Sequence, residues 1–163
     1  MDDRLDARLL GALGSIPAIK GAEIGYAFAD AVQPGSQVHD PFVVQSEDGV
    51  RWVARESNNA GGLEGGMSTG MPLVIRAAMK PIPTLMTPLG SVDVATMQAV
   101  NAHVERSDVT AVPAARVVAE AVVAYVVAGA YLEKFGGDCL ADLLQSVAAY
   151  EKRLEVGGLW RRS

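Results

Sequence analysis

The stretch RESNNAGGLEGGMSTG, Arg55 to Gly70, decides how the rest of the chain is read. Six of its sixteen residues are glycine or alanine, and Leu63 is the one sizeable aliphatic between Arg55 and Met67. Glycine tolerates positive φ and lets backbone come close to another group. Bare amides in such a loop can cradle a phosphate or ring oxygens. A plain hairpin loop would use the same residues. The spacing matches neither GxGxxG nor GxxxxGK[ST], so neither a dinucleotide fold nor a P-loop is indicated.

Strand signals flank the glycine loop on both sides. Upstream, PFVVQSEDGVRWVARE (41–56) reads as a hairpin turning at Asp48-Gly49, since Asp-Gly supplies the positive φ that a two-residue turn needs. Downstream, PLVIRAAMK (72–80) reads as a strand that PIPT ends, because two prolines one residue apart cannot both sit in a central ladder. Leu5, Leu9, Leu13 and Ile16 share one helical stripe and predict a helix over about 2–15, stopped near Pro17. AIKGAEIGYAF (18–28) reads as a strand, QPGSQ (33–37) as a turn and SVDVAT (91–96) as one more strand.

Two helices complete the pattern. The first runs from Pro113 to Phe135, with proline in its opening turn and Gly136-Gly137 after its end. It is apolar nearly all round after Glu120, which predicts burial on several faces. The second, about Cys139 to Leu154, is amphipathic through Leu140, Leu143, Leu144 and Val147. The tail GGLWRRS is expected to fray. Strands followed by helices predict an α+β fold.

Composition narrows the functional classes. A chain of 163 residues, half hydrophobic and one-fifth charged, can bury a real core. A formal net charge of −5 argues against a nucleic-acid or anionic-membrane surface, but a few arginines would still suffice for a local anion site. The lone cysteine, Cys139, excludes an internal disulfide and a cysteine metal cluster, and suits a reducing cytoplasm. MDDRLDARLL lacks the pattern of a signal peptide. The uncharged apolar run Ala121–Leu132 is too short to span a bilayer.

Three segments carry candidate chemistry. MKPIPT (79–84) presents Lys80 on backbone stiffened by Pro81 and Pro83. ERSDVTAVP (105–113) places Arg106 and Asp108 just before a helix, where anions are favoured. Asp108 alone could equally be a structural cap. His39 and His103 are not spaced as a metal pair, and Ser68 and Thr69 have no nucleophile-elbow context. The residues by themselves reach an anion-binding α+β domain.

Read together, SIPAIKGAEIG (15–25), GSQVHD (35–40), SNNAGGLEGGMSTGMPLVIRAAMKPIPTL (57–85), VDVAT (92–96), ERSDVTAVPAARVVAEAVVA (105–124) and LEKFGGD (132–138) resemble the chorismate synthase family. The resemblance implies a helical layer against antiparallel sheets, here truncated: residues 1–163 as one partial domain, the C-terminal portion of a chain about twice as long. The family's N-terminal glycine-glutamate-serine-histidine-glycine motif, second histidine region and serine-alanine-arginine signature have no counterpart in the sequence. The implied activity is anti-1,4-elimination of phosphate from 5-enolpyruvylshikimate 3-phosphate, giving chorismate with reduced FMN. Some members use NADPH to reduce the flavin. Family members are cytoplasmic homotetramers, so a homo-oligomer, or a partner N-terminal half, is expected, and the chain alone should turn over weakly or not at all. A non-catalytic flavin-binding or self-associating remnant is the competing expectation.

Carried over by motif, Asp108 would be the acid/base near flavin N5 and Arg106 a contact to flavin and substrate anions. Gly65, Pro17, Ala18, Lys80, Pro81, Ile82, Pro83 and Thr84 would line the flavin site, and no metal is implied. The sequence departs from the family pattern at Tyr26-Ala27, where aspartate-glycine is usual, and at Arg116, where glycine is usual. It also lacks the family's threonine-glycine turn after VDVAT.

Overall fold

Ten residues of leucine-rich helix, α1 (Leu5–Gly14), form the hub of the molecule. The structure, a computed structural model, describes residues 4–105 and 109–160. Leu9 and Leu13 point inward from α1 and are fully buried; with Ile16 and Leu63 they form the apolar core. α1 ends as its periodicity predicts: the Ser15 hydroxyl donates to the Ala12 carbonyl at 2.6 Å, and Pro17 cannot continue the ladder.

The chain then runs through β1 (Ile19–Ile24), two single-turn helices α2 (Ala27–Asp30) and α3 (Gly35–Val38), and the hairpin β2 (Phe42–Glu47) and β3 (Val50–Arg55). The hairpin β4 (Leu63–Glu64) and β5 (Met67–Ser68) follows, then β6 (Ile75–Met79), the hairpin β7 (Gly90–Asp93) and β8 (Gln98–Asn101), and the helices α4 (Val112–Phe135) and α5 (Leu140–Val156). Among the described residues these strands make four two-stranded antiparallel sheets: β1–β6, β2–β3, β4–β5 and β7–β8. This is the α+β class expected.

The β2–β3 turn lies at Asp48-Gly49, both with positive φ (50° and 79°), as a primed turn requires. The glycine loop makes the same turn on a smaller scale at Gly65-Gly66 (59° and 84°). β1 is shorter than expected because Gly25 turns the chain away with φ 65° and α2 begins at Ala27. The QPGSQ turn is wound into α3.

Three expectations need correction. SVDVAT is not a single strand: β7 reverses at Val94–Met97 and pairs with β8, Asp93 opposite Gln98. The Asp93 carboxylate accepts from the amides of Ala95 and Thr96 and so stands in for a dedicated turn residue, while Met97 is forced to φ 55°. The tail does not fray at Gly157–Trp160, since the Val53 amide donates to the Gly158 carbonyl at 2.8 Å and fastens it to β3. Finally, α4 is not buried. None of its residues is buried, and Val117, Val118, Tyr125 and Leu132 stand in the open. Its neighbours are α1, tied to it by Arg8 Nη1 to Glu133 Oε2 at 2.6 Å, and α5. Nothing among the described residues covers its outer face. By length and composition alone α4 could cross a membrane.

The glycines of the loop are not equivalent. A Cβ on Gly61 (φ 62°) would fall onto the Gly25 backbone, whereas one on Gly65 would meet nothing within 4 Å. Gly61→Ala should therefore cost about 3 kcal/mol or more, and Gly65→Ala about 1 kcal/mol, the penalty of a left-handed alanine. Urea unfolding of both variants checks this; equal losses would contradict it.

Candidate functional site

The glycine loop is held from beneath by a buried carboxylate. Asp40 follows α3, and its Oδ1 accepts from Ser57 Oγ at 2.6 Å and the Asn59 amide at 2.7 Å, while its Oδ2 accepts from the Ala60 amide at 3.0 Å. Asn58 continues the clasp: its Oδ1 accepts from the Gly62 amide and its Nδ2 donates to the Pro72 carbonyl. Arg55 forks onto Glu64 of β4, donates to the Asp40 carbonyl at 3.2 Å and stacks 4.3 Å from the Phe42 ring. Burial pushes the Asp40 pKa up, but the hydrogen bonds from Ser57, Ala60 and Asn59, aided by Arg55, outweigh it and hold the group below the ordinary carboxylate value.

Above this clasp, two backbones interlock. Gly25 donates to Val74 O at 2.8 Å and Val74 donates back to Gly61 O at 3.0 Å. Only glycine fits at Gly25 and Gly61, since a Cβ on either would enter the other's backbone region. The lock sets the end of β1 beside the start of β6, and the two strands then pair from Ile24–Ile75 to Ile19–Met79.

At the far end of that sheet, two of the expected segments meet. The Lys80 amide donates to the Ala18 carbonyl at 2.9 Å, one residue beyond the Ile19–Met79 pair. Ala18 sits at φ 68°, a left-handed conformation that alanine adopts only under constraint and that recurs at ligand sites. The Lys80 side chain is exposed and has no ion pair among the described residues. The amides of Ile82 and Thr84 donate to no residue among the described ones.

Beside this junction a groove of about 430 Å³ runs between the sheet and the first turns of α4, lined by Leu13, Ile19, Ile75, Met79, Arg116 and Glu120 among others. Arg116, the cation that replaces the expected glycine, pairs with Glu120 at 3.1 Å along its own helix. Ile19 and Met79, the chain neighbours of Ala18 and Lys80, line this groove; Pro17, Ala18 and Lys80 themselves do not. Arg106 and Asp108 lie outside the described residues, three and one residues before Val109, on the segment leading into α4.

Gly65 is the expected contact that the fold does not bring to this junction. Leu5 at the start of α1 donates to Gly66 O at 2.9 Å, so the Gly65-Gly66 turn sits at one end of α1 and Pro17-Ala18 follow the other. Ten helical residues put about 15 Å between them. A flavin ring system seated at Ala18 and Lys80 would not also lie on Gly65.

Comparison with known proteins decides the family. A family model described as chorismate synthase matches residues 1–132. The chain belongs to the chorismate synthase family. It is 56% identical over 155 residues to chorismate synthase of Chlorobaculum tepidum, covering 95% of this chain and 38% of that protein. It is 56% identical over 154 residues to chorismate synthase of Moorella thermoacetica, covering 94% and 39%. A solved crystal structure of chorismate synthase superposes with a TM-score of 0.72 at 40% identity, over 95% of this chain and 37% of that one. The chain therefore spans under two-fifths of the length of these relatives.

Asp40, Arg55 and Ala18 carry much of the geometry, and reading for motifs passed over the first two. Their partners are up to 20 residues away in sequence, and no local pattern announces them. Replacing Asp40 by asparagine keeps one acceptor but turns an NH₂ toward a buried amide donor, and should cost about 1–3 kcal/mol at neutral pH. Because its folded pKa is depressed, the carboxylate's contribution is present above the unfolded value of about 3.9 and lost as pH falls through the folded value. In urea titrations the stability gap between the wild type and Asp40→Asn should therefore narrow progressively as pH falls below about 4; a pH-independent gap would contradict this.

Proposed function

We propose that this chain supplies the C-terminal part of a chorismate synthase active site: one partial domain that binds the enolpyruvyl-shikimate phosphate and reduced FMN. The observation that carries this reading is the Ala18–Lys80 junction, next to the groove-lining pair Ile19–Met79, where a hydrogen bond joins Ala18 and Lys80 across 62 positions of the sequence. The residues fit the cofactor. A strained backbone, with a lysine and two amides that have no partner among the described residues, suits the polar edge and phosphate of a flavin. Pro17, Ala18 and Lys80 to Thr84 would form one wall of its site.

In the elimination, the ring C–O bond to phosphate breaks and a proton leaves the ring on the opposite side. Reduced FMN, when bound, supplies electron density transiently as phosphate departs, with no net redox change. The substrate's two carboxylates and phosphate call for arginines, and Arg106 is assigned that task, since a guanidinium forks onto either group. Asp108 is assigned to relay a proton near flavin N5. The histidines that would act as acids on the leaving phosphate belong to sequence this chain does not contain. Turnover by the chain alone should be negligible, and the working form is a cytoplasmic oligomer or a pair with the remaining family length. Whether NADPH serves the flavin is left to that remaining length.

Mixing the chain with a separately produced N-terminal portion of a relative should restore chorismate formation from the substrate and photoreduced FMN. Asp108→Asn should lower that activity by a factor of about 10² or more, as expected for a lost acid/base. A soluble, verified pair that forms no chorismate would overturn the reading.

A second reading is supported by the open outer face of α4, on which Val117, Val118, Tyr125 and Leu132 are all exposed. An apolar face of this kind marks an interface. Without a complementary portion the chain should self-associate, and light scattering during size-exclusion chromatography should report a dimer or larger. A monomer at micromolar concentration would contradict it.

A further inference from the structure

An aromatic-walled cavity at the C-terminal end of α4, on neither the groove nor the flavin junction, has no role in the proposed reaction. It measures about 440 Å³ and lies between the end of α4, α5 and the Ser68–Gly70 segment. Tyr131, Phe135, Tyr150 and Trp160 line it. Tyr131 and Phe135 are tilted at 5.4 Å between ring centres, and Phe135 meets Tyr150 edge-on at 5.5 Å. Trp160 is carried there by the hydrogen bond that fastens Gly158 to β3. The size falls in the range of roughly 300–1,000 Å³ usual for small-molecule pockets.

The charges on the wall narrow the ligand. Lys134 rests its Nζ 3.9 Å from the centre of the Tyr150 ring and 5.2 Å from that of Phe135. Glu151, half-buried, lines the same cavity. Although they share one wall, they form no ion pair with each other, and neither has a carboxylate or cation partner among the described residues. Opposite charges left apart in a small, ring-lined space are complementary to one molecule that carries both signs. The rings ask for a flat apolar body, and the ammonium already on the Tyr150 face asks for an anion beyond it.

We propose that this cavity binds an aromatic α-amino acid as its zwitterion, with the carboxylate on Lys134, the ammonium on Glu151 and the side-chain ring among Tyr131, Phe135 and Trp160. The site is separate from the flavin junction, so its fate does not depend on the reading above. The carboxylate and ammonium each form a charge-assisted contact, and the loss of either should weaken binding roughly tenfold or more.

Calorimetric titration of the intact chain with L-phenylalanine tests this, with 3-phenylpropanoate and phenethylamine as analogues lacking one charge each. Saturable one-site binding of phenylalanine is expected, weakened at least roughly tenfold for either analogue and in both Lys134→Met and Glu151→Gln. Both substitutions are on exposed or half-exposed side chains, and unchanged far-ultraviolet circular dichroism certifies their folds. Trp160→Ala should weaken phenylalanine while leaving the preference for the zwitterion intact. No saturable binding by the folded chain, or equal affinity for 3-phenylpropanoate, would overturn the proposal. So would charge variants that bind phenylalanine as the wild type does.

Discussion

The close approach of two backbones at Gly25 and Gly61 is the constraint on which the rest of the structure depends. It admits no side chain at either position, and hydrogen bonds through Val74 hold it in both directions. Because it fixes where β1 ends and β6 begins, it also fixes their register, and so which residues meet at the other end of the sheet. Asp40 stabilises the lock from below by satisfying three donors of the Ser57–Ala60 turn, each of which would otherwise be left without a partner. Much of the glycine loop's unusual composition is thus explained by structure: the bare backbone at Gly61 and Gly62 is needed for packing against its own chain, whatever ligand the loop's neighbours receive.

From this lock the molecule builds a platform with one unfinished side. α1 packs on β1 and on α4, where Arg8 passes Gly129 to reach Glu133. Four buried apolar residues among the described ones make a small core, and α4 offers an apolar outer face that no described residue meets. The chain spans 38% of the Chlorobaculum tepidum relative to which it is 56% identical. β7–β8 is exposed along both strands and turned by a left-handed Met97, the pattern of a hairpin with little packing to hold it.

Much of the fold was legible because the signals were local. Asp48-Gly49 fixes its hairpin from two residues, the leucine stripe fixes α1, and Pro113 with Gly136-Gly137 brackets α4 to within a residue. Long-range partners left no such mark. Thr96-Met97 carries no turn preference, so the β7–β8 reversal was read as one strand; the turn is made by the Asp93 side chain and tolerated strain. The burial of α4 was misjudged because apolarity reports what a helix needs, not whether this chain contains it. At the site, Ala18 and Lys80, grouped through family motifs, are joined by one backbone hydrogen bond, although alanine gives no hint of the φ of 68° that Ala18 adopts. Gly65 was grouped with them from the motif alone, and α1 separates it from them. Arg106 and Asp108 lie outside the described residues, and their roles rest on the family pattern.

The central claim is that the Ala18–Lys80 junction is the flavin wall. Amide chemical-shift mapping of the isotopically labelled chain, titrated with FMN together with the enolpyruvyl-shikimate phosphate, tests it most directly. The account predicts saturable shifts concentrated at Ala18, Lys80, Ile82 and Thr84, with Gly65 little affected. Shifts confined to Gly65 and its hairpin, or none in a chain whose spectrum is that of a folded protein, would contradict it.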